Sequence, residues 1–136
     1  MPGLRIVMAA LILGGFSNAQ EPAKVQDWTD AYRTARELIE SDRLEEATPW
    51  LERAIGRQSL PSVRRVPGTA GHPYVPYLDL AEVHLRARRW NDAELCLSIS
   101  ENFAAYTEHK PSRKRFTRLT EALQQQQHVA AARDDD

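Results

Sequence analysis

Four histidines, His72, His84, His109 and His128, and one cysteine, Cys96, are the residues from which metal or nucleophilic chemistry would have to be built. A helical metal site needs histidines and carboxylates three or four residues apart on one face. None of the four histidines is so paired, so no metal site is expected. A catalytic thiol needs a neighbouring base and exposure. Cys96 instead lies between Leu95 and Leu97 in an apolar helical pattern, which places it in the core. A lone thiol also forms neither an intrachain disulfide nor a thiolate zinc cluster. With no nucleophile elbow and no phosphate-cradling glycine loop, the sequence reads as a non-enzyme with no cofactor. His84, on an inner helical face, reads as a hydrogen-bonded packing residue. The alternative is a small-ligand or metal-dependent activity that uses it.

Charge narrows the partners. The formal net charge is −1, whereas a nucleic-acid binder presents a strongly basic face. The basic runs at Arg86, Arg88 and Arg89 and from Arg113 to Arg118 read as solvated faces, because helical spacing scatters the second around its axis. Nucleic acid is therefore excluded as a partner.

The first residues fall into three zones: a short start carrying Arg5, an apolar stretch from Ile6 to Phe16, then Ser17, Asn18 and Ala19. This is the order of a secretory signal, with a cut expected between Ala19 and Gln20. The apolar stretch is much shorter than the roughly 20 residues that span a bilayer, and no cysteine follows it to carry a lipid. The expectation is a cleaved signal peptide over 1–19 and a mature chain without a membrane anchor, exported to a bacterial periplasm or the cell exterior.

A chain of 136 residues has room for one small core, and internal repetition decides how it is built. Sliding the sequence by 46 residues lays Trp28 on Tyr74, Ala31 on Tyr77, Ala35 on Ala81, Leu44 on Trp90, Ala47 on Ala93 and Leu51 on Leu97. Arg43 also falls on Arg89. Within each copy apolar residues step by three and four, the period of two amphipathic helices. Each copy is thus a helical hairpin, at about 27–58 and 74–106. Asp27 and Asp42 stand where N-caps would, and Pro76 fits a first helical turn. Pro49 implies a kink, or a second helix regular only from Thr48. Between the copies, 59–73 holds three prolines, two glycines and the basic pair Arg64 and Arg65; it is expected to be an unpaired loop open to protease.

These residues resemble the tetratricopeptide repeat family. Ala35, Leu44, Ala47, Leu51 and Ala54 fit its pattern in the first copy, and Ala81, Trp90, Ala93 and Leu97 in the second, with the small residues where close helix crossing excludes a branched side chain. The family tolerates proline at the place of Pro49. Its period is about 34 residues, so the chain departs from it by the insertion, by His84 and Ser100 at normally apolar or aromatic and small positions, and by having two copies where about three normally stand alone. A closing helix is expected to cover the open end over about 112–127, capped by Ser112 with Phe116, Leu119 and Leu123 as its apolar stripe. The residues 128–136 are expected to be a disordered tail.

The implied architecture is all-α: two tetratricopeptide-like hairpins and a closing helix over 20–127, a short α-solenoid. The resemblance further implies a module that binds a protein or peptide in a concave groove lined by the first helix of each hairpin. Carried over by position, the groove residues are Tyr32, Arg36, Ile39, Leu78, Glu82, Leu85 and Arg86, with Tyr32 the foremost contact. Trp50 and Trp90 are read as structural. The alternative without a partner is a homodimer that pairs its open repeat face with itself.

Overall fold

The structure is a computed structural model that describes residues 27–134. The expected signal peptide and the side chain of the proposed cap Asp27 lie outside the described residues. Among those described, the chain is mostly helical, with five α-helices and one two-stranded sheet. The helices are α1 (Asp27–Glu40), α2 (Leu44–Arg57), α3 (Pro76–Arg86), α4 (Trp90–Phe103) and α5 (Lys110–Asp134). Strands β1 (Ser62–Arg65) and β2 (Pro73–Tyr74) lie between α2 and α3, and a 3-10 turn, Ala105–Glu108, leads into α5. Helix α1 packs on α2, α3 on α4, α2 on α3, and α5 against both α3 and α4.

The two copies repeat in their backbone bonds as well as in sequence. At the end of α1 the amide of Arg43 donates to the carbonyl of Leu38 at 2.8 Å, and at the end of α3 the amide of Arg89 donates to that of His84 at 2.8 Å. Asp42 and Arg88 occupy the same left-handed place, with φ of 61° and 65°. Ala47 to Arg43 is matched by Ala93 to Arg89, and Gln58 to Ala54 by Ala104 to Ser100. Every one of these pairs is related by the 46-residue shift. A left-handed residue closing a helix satisfies its last carbonyls, and aspartate tolerates that conformation better than arginine does.

The core between the layers is small and alanine-rich where helices cross. Ala35, Ala47, Ala54, Ala81 and Ala93 are all 0% exposed, beside Leu51, Leu78 and Val83. Pro76 stands in the first turn of α3, where a missing amide leaves no bond unmade. Pro49 lies inside α2, which runs unbroken from Leu44; it is one turn from the start and exposed, so its ring meets few neighbours.

Four local expectations need correction. Asp42 does not cap α2: Arg43 holds that place without a side-chain bond, and Asp42 instead pairs with Arg86. Ser112 does not cap α5, which begins at Lys110; its own amide donates to Nδ1 of His109 at 3.3 Å, and its hydroxyl lies 2.7 Å from that nitrogen. Of the expected tail, residues 128–134 are helical rather than disordered, with the side chains described from 128 to 133 mostly exposed, because alanine and glutamine propagate a helix already nucleated by packing; residues 135–136 lie outside the described residues. Trp50 is 36% exposed with Arg53 over its ring, whereas Trp90 packs half-buried against the core.

The insertion is also folded. β1 and β2 pair antiparallel with Ser62 opposite Tyr74 and Arg65 opposite Pro73, the register slipping between them. Thr69 closes the bend, its hydroxyl donating to Val66 O at 2.6 Å, and Gly68 and Gly71 take φ of 80° and 83°, which glycine adopts without strain. Val66 is 3% exposed. Tyr74 and Tyr77 donate their hydroxyls to Gln58 O at 2.6 Å and Ser59 O at 3.0 Å. Proline and glycine deny helix to this segment but leave it strand-type bonds, so it forms a strap rather than an open loop.

Candidate functional site

Two of the residues read as a groove, Tyr32 and Arg36, meet at one buried carboxylate, Asp79, on the first turn of α3. It is 0% exposed. The hydroxyl of Tyr32, from α1, donates to Asp79 Oδ2 and also lies 3.1 Å from Pro73 O; it accepts from the amide of Val75 at 3.3 Å. Arg36, one turn along α1, donates through Nη1 to Asp79 Oδ1 at 2.8 Å. Arg115 reaches in from α5, its Nη2 2.8 Å from the same oxygen but out of hydrogen-bond alignment, so that contact is charge to charge. Its Nη1 donates to Glu82 Oε1 at 3.2 Å. The strap adds His72, whose buried Nε2 stands 3.8 Å from Asp79 Oδ1.

Electrostatics fixes the protonation of this knot. Burial alone would raise the Asp79 carboxyl, but the guanidinium of Arg115, the His72 imidazole and Arg36 overcome it and hold it well below the usual carboxylate range. Burial, and then the Asp79 charge, push Tyr32 well above the ordinary phenol value. Burial would lower Arg115, but Asp79, Tyr32 and Glu82 raise it. Tyr32 therefore stays a neutral donor and Asp79 an ionised acceptor across the neutral range. A pair so far from neutral pH is poorly suited to exchanging protons with a substrate. The arrangement ties together α1, the strap, α3 and α5.

The partner-contact reading changes accordingly. Tyr32 and Leu78 are 0% exposed and Ile39 is 5% exposed, so all three are core residues, with Tyr32 held under the strap by Pro73 and Tyr74. Arg36 and Glu82 keep only 13% and 15% of their side-chain surface and spend their charges inside the knot. Leu85 is half-buried against the core. Arg86 is exposed and bridges Glu82 and Asp42. Sequence reasoning missed Asp79, His72 and Arg115. Asp79 was discernible as a carboxylate within the apolar run from Tyr74 to Ala81. Arg115 was discernible because Ser112, Arg115, Leu119 and Leu123 step by three and four along one stripe.

Cys96 is buried, and burial, reinforced by Asp92 and Glu52, pushes its thiol up to about 11. His84 accepts at Nδ1 from Arg89 Nε at 2.9 Å, and burial followed by Arg89 lowers its basicity. Among the described residues no three histidines, cysteines or carboxylates gather as a metal site. No helix among them is long and apolar enough to cross a membrane. Comparisons of the chain with family profiles, with curated proteins and with solved structures find no match.

Proposed function

We propose that this chain is an exported, non-catalytic interaction module: two tetratricopeptide-like hairpins in a short solenoid, closed at one end by α5, that bind a protein or peptide. The observation that carries the reading is the correspondence of the two α-helical hairpins, bond for bond, at the 46-residue shift. Repeats of this kind bury one face against a neighbour and present another. The presented face is the edge of α3 at Leu85 and Arg86, with the charges of Asp42 and Glu45 beside it on the turn into α2, and not the covered Tyr32.

A photo-crosslinking residue at Arg86, in the exported form starting at Gln20, tests it. One protein captured at Arg86, and not from a control position at Arg133, supports the reading; equal capture from both, or none, overturns it. A self-pairing subunit is the second reading, favoured by Leu95, 60% exposed on α4. A mass that doubles with concentration in light scattering, and stays monomeric for Leu95→Lys, would put that reading first.

A further inference from the structure

A cleft of about 460 Å³ opens between the first turn of α1 and strand β1, on residues that the interaction reading does not use. Its size is that of a site for one small molecule. Trp28 is its partly exposed aromatic side, backed by the fully buried ring of Tyr74 at a centroid distance of 4.6 Å and a tilt of 56°, and Arg64 and Arg65 also line it. Adjacent residues of a strand normally face opposite sides. Here the register slips between Ser62 and Arg65, and both arginines line the same cleft.

Charge sets this place apart. Among the described residues no carboxylate lines the cleft; its other polar lining is neutral, including Gln58 and Ser62. Elsewhere the arginines near carboxylates are matched: Arg33 with Asp30, Arg43 with Glu46, Arg86 with Asp42, Arg89 with Glu45. Arg64 and Arg65 are exposed, and among the described residues neither has an acidic partner. The exposed guanidinium of Arg64, with that of Arg65 beside Gly71, suits the oxygens of a carboxylate or phosphate, and the indole of Trp28 suits a flat apolar body.

We infer that this cleft is a binding site for a small anion carried on a flat apolar group, an aromatic carboxylate or phosphate ester. The test is a titration of the isotope-labelled protein with phenyl phosphate, followed through the indole signal of Trp28 and the Nε signals of Arg64 and Arg65. Inorganic phosphate and benzyl alcohol are the matched probes that lack one half of the ligand. The expected result is a saturable shift of all three signals with phenyl phosphate, at least about tenfold tighter than with either half-probe. Joint Arg64→Gln and Arg65→Gln substitution should weaken it by about tenfold or more. Both side chains are exposed, and unchanged Trp50 and Trp90 signals report that the fold is kept; Arg64→Gln alone serves if they move. Equal binding of inorganic phosphate, an absent or unsaturable shift, or affinity unchanged in the variants would overturn the assignment.

Discussion

Replacing Asp79 by asparagine keeps the shape of the knot and deletes its central charge. Arg36 and Arg115 then face each other across a neutral amide, and Tyr32 loses its strongest acceptor. Arg115 keeps Glu82 at 3.2 Å, but Arg36 keeps only the exposed Glu40 at 3.5 Å, a surface pair of little weight. Leaving a buried charge uncompensated costs about 3–5 kcal/mol, a large part of the roughly 5–15 kcal/mol that holds a small domain folded. At about 4–8 °C per kcal/mol for a domain near 100 residues, the melting temperature at pH 7 should fall by at least about 12 °C in circular dichroism. The acid limb gives a second readout. Because the folded-state pKa of Asp79 is depressed, its contribution is fully present above the unfolded value of about 3.9 and is lost as pH falls below it. Wild type should therefore lose stability more steeply than Asp79→Asn below about pH 4. Removing the pair together, as Asp79→Leu with Arg115→Met, should cost less than the sum of the single changes. A loss under about 1 kcal/mol for Asp79→Asn, with an acid limb parallel to wild type, would refute the account of the knot as the joint between four elements.

Three further outcomes follow from the same geometry. With its thiol pushed up to about 11, Cys96 should react with a thiol reagent at pH 8 about 200-fold more slowly in the native protein than after denaturation, from the thiolate fractions alone; a native rate within tenfold of the denatured one would contradict its burial. Hydrogen exchange should protect the Val66 amide, bonded to His72 O at 2.9 Å, and the Val75 amide, bonded to Tyr32, as well as amides within α1, and exchange as fast as an open loop would show the strap to be unformed. Deleting 128–136 should move the melting temperature by less than about 2 °C, because the side chains described from 128 to 133 are mostly exposed, whereas Leu119→Ala, at a residue 1% exposed, should cost about 2–5 kcal/mol; similar effects from both would contradict the packing of α5.

The helical class was legible because apolar steps of three and four residues, and the alanines at the crossings, are local signals repeated twice. The identity of the surface was not. Tyr32 and Leu78 sit where a groove-lining residue of a hairpin would, and nothing within their own helices says whether that groove is open. What closes it comes from 33 to 47 residues away in sequence: Arg115 meets Glu82, and Tyr32 meets Asp79. Such contacts have no period to betray them. Their trace is chemical, a charge on a stripe that ought to be apolar. Asp79 among Leu78, Leu80 and Ala81, and Arg115 in line with Leu119 and Leu123, are two opposite charges on faces that packing will bury. A buried charge is tolerable only with a partner, and here each of the two is a partner of the other. Read together they place the start of α5 beside the first turn of α3, while Tyr32 is taken off the surface by Asp79 and by the strap residues Pro73 and Tyr74.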